Sequence, residues 1–265
     1  MRRGRRAFTM IELLVVVVIL GLLAALIFPV FAQARSAAQK ATCLSNSREI
    51  ALASVMYMED HNDRLFPFGY VEGRAYRTWW GDLNTGAPEA AFIFPYTKSG
   101  GIRGCPSARD LPNDAPHTYT MGYGMNFRLF YRYPPEGAIG EFRTVSGSDI
   151  DRPAETVLCG DSARWEPNRN SVIGTPYTFG DSWSYHFHAR HTGDRANVTW
   201  LDGHASSPSL YFHTSPLIGD STIEPETLRL NRLGDLLKFP KEQPEAGINS
   251  IRDQFYFLIE KPAGL

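Results

Sequence analysis

The chain of 265 residues holds three cysteines, Cys43, Cys105 and Cys159, and no C-x-x-C pair. Zinc-ribbon and thioredoxin-like frameworks are therefore excluded. The signatures G-x-S-x-G, P-loop and G-x-G-x-x-G are also missing, so nothing points to an α/β-hydrolase, a P-loop enzyme or a dinucleotide enzyme. Surplus positive charge is missing as well: 27 basic side chains face 28 acidic ones, for a formal net charge of −1. That balance gives no electrostatic case for a nucleic-acid partner. No internal repeat is visible. Two local absences say more. Polar side chains are lacking from Leu13 to Ala32, and both glycine and proline are lacking from Gln33 to Asp60.

The first absence defines a membrane-length run. Twenty apolar residues at about 1.5 Å rise cover about 30 Å, the thickness of a bilayer's hydrocarbon core. Arg2, Arg3, Arg5 and Arg6 precede it. Basic residues stay cytoplasmic, which predicts a single pass through the inner membrane with everything after Ala32 outside the cytoplasm. One carboxylate, Glu12, stands at the mouth of the run. A charge near the bilayer core costs roughly 2.5–3.5 kcal/mol, so it is kept for a partner. The second absence lets the helix continue. Ala34, Ala37, Ala38, Ala41, Leu44, Ala51, Leu52, Val55 and Met56 recur at steps of three and four. These predict one helix from Phe8 to about His61, apolar all round in its first half and amphipathic in its second. Pro29 is its expected kink.

Arg6-Ala7-Phe8-Thr9-Met10-Ile11-Glu12-Leu13-Leu14 resembles the N-terminus of type IV pilins and type II secretion pseudopilins. The resemblance implies cleavage between Ala7 and Phe8 by a prepilin peptidase, and methylation of the new N-terminus. Ala7 departs from the family's usual glycine. The resemblance also implies that Phe8 and Glu12 serve assembly, Glu12 by pairing with the N-terminal ammonium of a neighbouring subunit. Cleavage removes four arginines and leaves 23 basic against 28 acidic side chains, a net of −5. Two plainer readings compete. Ala32-Gln33-Ala34 has the form of a secretory cleavage site, but the apolar run exceeds the usual signal length. A plain anchor that never assembles is the other.

The expected organisation is a leader at 1–7, a transmembrane and assembly helix at 8–32, an amphipathic helix at 33–62 and a globular head at 63–265. The chain's hydrophobic content of 43% and aromatic content of 12% suit a globular domain rather than disorder. The fold class is α+β, with the long helix packed on an antiparallel sheet. Strands are predicted at Thr118–Tyr123, Glu155–Cys159 and Ala196–Leu201, and a short helix near Leu228–Leu237. Asp202-Gly203 predicts a two-residue hairpin turn, with the Asp202 carboxylate held by His191 or His204. Trp79-Trp80 reads as core or interface rather than a binding patch. The sequon Asn197-Val198-Thr199 falls in a predicted strand. Cys43 and Cys105 are the expected disulfide, against the alternative of three free thiols, and Cys159 reads as a buried small hydrophobe.

His191, Asp202, Gly203 and His204 carry a second resemblance. They look like the branch of prepilin-type proteins that ends in His, nine residues, then Asp-Gly, although ten residues intervene here. Cys43-Leu44-Ser45-Asn46, Cys105-Pro106-Ser107 and Arg152-Pro153-Ala154-Glu155-Thr156-Val157 match it too. His186-Phe-His188-Ala-Arg190-His191 also resembles the H-x-H-x-D-H run of metallo-hydrolases. His186, His188, His191, Asp202 and His204 are thus candidate metal ligands, but Arg190 stands where the acid belongs and its charge opposes a cation. The expectation is no metal, no cofactor and no catalysis. Asp60, Asn62 and Asp63 read as a capping turn rather than a Ca²⁺ loop. The function read from the sequence is a structural pilin-like subunit. The alternatives are a membrane-anchored extracellular binding module and, further off, an anchored metallo-hydrolase.

Overall fold

A computed structural model of the protein describes residues 9–112, 122–132, 141–178, 185–214, 216–218, 222–236 and 255–257. One helix, α1 (Met10–Asp60), dominates the N-terminal part and passes through Pro29 without interruption. The chain divides into two compact units, Met1–Ala38 and Gln39–Leu265. In the first, every large apolar side chain from Met10 to Phe31 is exposed, Phe28 by 69%.

In the second unit α1 buries Cys43, Ser47, Ile50, Ala51, Ala53 and Ser54. Positions 43, 47, 50, 51 and 54 follow the three- and four-residue steps of one helix face. Apart from Ile50 the residues are small. Their hydroxyls are satisfied within the helix, Ser47 on the Leu44 carbonyl and Ser54 on the Ile50 carbonyl. Asn62 and Asp63 then take left-handed conformations with φ of 55° and 60°. The Asp63 N–H donates back to the Met58 carbonyl at 2.8 Å, which closes the helix end. The Asp63 carboxylate accepts from the Ser148 N–H and the Ser146 hydroxyl. Asp60 accepts from the Tyr96 hydroxyl. The two carboxylates thus hold separate loops.

The main sheet has eight strands. In chain order they are β1 (Tyr123–Asn126), β2 (Val157–Glu166), β3 (Ser171–Gly174), β4 (Tyr177–Thr178), β5 (Tyr185–His188), β6 (Val198–Trp200), β7 (Ala205–Ser206) and β8 (Leu233–Gly234). The ten-residue β2 is the spine. Its first half pairs with β1 and β6, its second half with β3 and β5. All these pairings are antiparallel, and only β1 with β4 runs parallel. The class is α+β. Trp79 and Trp80 lie in the core between helix and sheet, where Trp79 Nε1 donates to the Pro176 carbonyl. Cys43 and Cys105 form a disulfide, and Cys159 is a buried free thiol.

Several predicted boundaries shift for local reasons. Residues 118–121 lie outside the described residues. Pro153–Glu155 form a 3₁₀ turn instead of opening a strand, because Pro153 fixes its φ and lacks a donor. The late helix is α2 (Pro225–Leu230), started by Pro225 at its first turn and stopped before Arg232, which has φ of 56°. Leu233 and Gly234 therefore pair with β5 instead of extending the helix.

The predicted two-residue Asp-Gly turn is corrected to a three-residue loop. The Gly203 N–H donates to the Trp200 carbonyl and the Trp200 N–H to the His204 carbonyl. Leu201-Asp202-Gly203 thus forms a turn followed by a bulge, with Gly203 at φ of 88°. A Cβ at Gly203 meets only ordinary contacts, 3.7 Å from Leu52 at the nearest. The requirement for glycine is backbone strain alone. Replacing Gly203 by valine is expected to destabilise the head by about 1–2 kcal/mol. Chemical unfolding of the full-length chain in detergent measures this, and an unchanged midpoint would contradict it.

Candidate functional site

Ala7 and Phe8 lie outside the described residues, but the start of α1 is well defined. The Thr9 N–H and hydroxyl each donate to Glu12 Oε2 at 2.8 Å. The Glu12 N–H donates to Thr9 Oγ1 at 3.2 Å. This is a capping box, in which side chains satisfy donors that the first helical turn leaves open. The Thr-x-x-Glu spacing was readable in the sequence, yet Thr9 was not singled out there. Glu12 therefore holds its own helix start together. Beyond it, Leu13 to Ala32 presents an unbroken apolar surface, and the helix is long and apolar enough to cross a membrane.

Residues 2–28 match the family model for the prokaryotic N-terminal methylation motif. The chain carries a prepilin-type N-terminus. No curated protein and no solved structure matches it. The methylation motif and the apolar helix together support membrane anchoring, and the motif implies processing by a prepilin peptidase. The matched segment covers Glu12 and most of the apolar run.

In the head, the histidines and acids read together from the sequence separate into three groups. His191 is buried and its Nε2 lies 3.0 Å from Asp161 Oδ2. Asp161 also accepts from the Asn197 N–H at 2.6 Å, and Asn197 Nδ2 donates to the Lys40 carbonyl of α1. Arg190, expected to repel a cation, is buried beside this acid and donates to the carbonyls of Gly122 and Ser162. Asn197 is fully buried, so its sequon is closed to modification in the folded head.

His186 belongs to a second group. Its Nδ1 lies 3.2 Å from Asp235 Oδ2, and His213 Nε2 lies 2.7 Å from the same oxygen. Burial works against ionisation of Asp235, but His186 and His213 outweigh it and hold the carboxyl well below its usual range. Neither His213 nor Asp235 was anticipated. The third group is Asp202 with His204, both partly exposed at the hairpin. His204 satisfies Asp202 with its ring Nδ1 and its backbone N–H. The expected alternative donor, His191, is committed to Asp161. The five candidate ligands thus do not converge on one point, because β5 and the hairpin direct them to different carboxylates.

His188 stands apart. It pairs in register with Leu233 of β8, and its Nδ1 is shielded from solvent with no hydrogen-bond partner among the described residues. Burial, then the nearby charges of Arg190 and Arg232, push its pKa well below the ordinary value of 6.5. The folded head thus refuses a proton that the unfolded chain accepts. Stability from this group is intact above about pH 6.5 and declines as pH falls below it. Between about pH 6.5 and 5.5 the loss is expected to be about 1 kcal/mol, and His188→Gln should remove that part of the pH dependence. Melting of wild type and variant across this range checks it. Parallel curves for the two proteins would contradict the assignment.

Proposed function

We propose that the protein is a structural subunit of a type IV pilus or type II secretion filament. In this reading a prepilin peptidase cuts after Ala7 and methylates Phe8. The subunit then waits in the inner membrane through residues 8–32 with its head outside the cytoplasm. Subunits join by packing their stems. The observation that carries the reading is the methylation motif over 2–28, which takes in most of an apolar run whose large side chains are all exposed. Each large apolar side chain that leaves water for lipid or a neighbouring stem contributes about 1.5–3 kcal/mol.

Glu12 links the membrane state to the assembled state. In the single chain its carboxylate is satisfied by Thr9, which lowers the cost of placing it near lipid. A neighbour's N-terminal ammonium offers a charged partner in place of two local donors, and charge-assisted bonds are the stronger ones. The proposal is of a structural protein, not an enzyme. It is supported by the way His186, His191 and His204 each hold a separate carboxylate instead of facing a shared substrate space.

A groove of about 610 Å³, lined by Val55, Met58, Ile150 and Leu201 and rimmed by Glu59, Asp63 and Asp202, favours a second reading. The head could serve as a membrane-anchored binding module whose ligand has an apolar body and a basic group.

Protein isolated from its native host should begin at Phe8 and carry one methyl group. Intact-mass analysis decides this, and a chain starting at Arg35 would support an ordinary signal peptide instead. Glu12→Ala should abolish incorporation into filaments while membrane insertion is kept or improved. Sheared-filament fractions and membrane fractions, probed for the head, read the two effects. Normal filaments built from the variant would overturn the role given to Glu12, and absence of the wild-type protein from filaments would overturn the assembly proposal and leave the anchored binding module as the better account.

A further inference from the structure

The disulfide is not an isolated crosslink. A ring nitrogen of His191 and the sulfurs of Cys43 and Cys105 lie within 4.8 Å of one another, all in buried residues. The three come from separate parts of the head: α1, the turn before Pro106, and the segment after β5. Two thiolates and an imidazole are a donor set that suits zinc, whose bonds of about 2.3 Å to sulfur and about 2.0 Å to nitrogen need ligand atoms roughly 3.3–3.8 Å apart. Once the S–S bond is broken the sulfurs are free to part by that amount.

The surroundings point the same way. Asp161 is fully buried, touches His191 Nε2 through Oδ2, and has no hydrogen-bond partner for Oδ1 among the described residues. A carboxylate on one ring nitrogen of a histidine that binds metal through the other fixes the ring and raises its basicity, and with Asp161 and Asn197 Nδ2 both on Nε2 this role requires Nδ1 as the ligand atom. The charges also close. With the disulfide intact, Asp161 and Arg190 cancel. With two thiolates in its place, the buried group carries two net negative charges, which one divalent cation neutralises. Buried charge is tolerated only when so compensated.

We propose that Cys43, Cys105 and His191 form a zinc site in the reduced chain, with Asp161 orienting the histidine, and that the disulfide is the metal-free oxidised form of the same site. Reduction by an external dithiol delivers two electrons and two protons to the disulfide, giving two thiols and the oxidised dithiol. Zn²⁺ then displaces the two thiol protons. In the reverse direction a disulfide oxidant takes two electrons from the thiolates, and zinc leaves. The chain before oxidation is thus held at Cys43 and Cys105, the two points that the disulfide later locks, and at His191 as well. Cys159, buried against Thr199 in β6, takes no part.

The test uses the full-length chain in detergent, as oxidised protein and after reduction with a phosphine, each exposed to zinc and then freed of unbound metal. Elemental analysis should find about one zinc per reduced chain and none per oxidised chain. Cobalt, used as a coloured substitute, should give tetrahedral ligand-field bands and a thiolate charge-transfer band in the reduced chain alone. Cys105→Ser should abolish the charge-transfer band, and His191→Gln should weaken cobalt binding while circular dichroism shows a folded head. If either variant fails to fold, the reduced and oxidised wild-type chains still decide the matter. A reduced chain that holds no stoichiometric metal, or an oxidised chain that holds as much, overturns the proposal.

Discussion

The buried carboxylate of Asp161 is the constraint on which the head is organised. A lone charge at that depth is intolerable, so the chain supplies it with three kinds of partner: the Asn197 backbone, the His191 ring and the Arg190 guanidinium. Meeting that demand fixes the segment between β5 and β6 against the middle of β2. Asn197 reaches onward to the Lys40 carbonyl, and Tyr123, next to this cluster in β1, donates its hydroxyl to the Cys43 carbonyl. Helix, sheet and connecting segment are thus joined around one acid. The apolar core that surrounds them supplies most of the stabilisation, but it is non-directional and does not by itself set the register of α1 on the sheet.

The stem obeys a different logic. Its residues are uniformly apolar, and no polar side chain between Leu13 and Ala32 gives it direction. A polar device stands at its start, where Thr9 and Glu12 close the first turn. This division explains why one helix serves two environments. A surface apolar all round suits lipid or other stems, whereas a stripe of small residues suits close packing on a sheet. The change from one pattern to the other occurs within α1.

The parts of this protein legible in its sequence are those governed by near neighbours. The apolar run, the helix that follows it, the αL closure at Asn62 and Asp63, and the need for glycine at 203 all depend on residues a few positions apart. The hairpin was placed correctly but its loop was read one residue too short, because Asp-Gly fits both a tight turn and a turn with a bulge. The histidines were the harder case. Spacing along β5 suggested that His186 and His188 act together with His191, Asp202 and His204. In the fold each is claimed by a carboxylate or by burial. The acids that matter, Asp161 and Asp235, lie far away in sequence, Asp235 by 49 residues from His186. Nothing in local spacing announces such a pairing. His213 was missed for the same reason.

The position of the disulfide has a mechanical consequence. The second unit begins at Gln39, and Cys43 lies about one helical turn further on. A pull along the stem enters the head there and meets a covalent bond to Cys105 almost at once. The 62-residue span from Cys43 to Cys105 is thereby taken out of the load path. The amphipathic part of α1 and the tryptophan-bearing loops behind it can stay packed while tension passes across the sulfur bridge. In the reduced state without metal that bypass is gone, and the same pull falls on noncovalent contacts such as those of the Lys40 and Cys43 carbonyls. The oxidation state of two cysteines therefore sets whether a pull on α1 is borne by a covalent bond or by packing and hydrogen bonds alone.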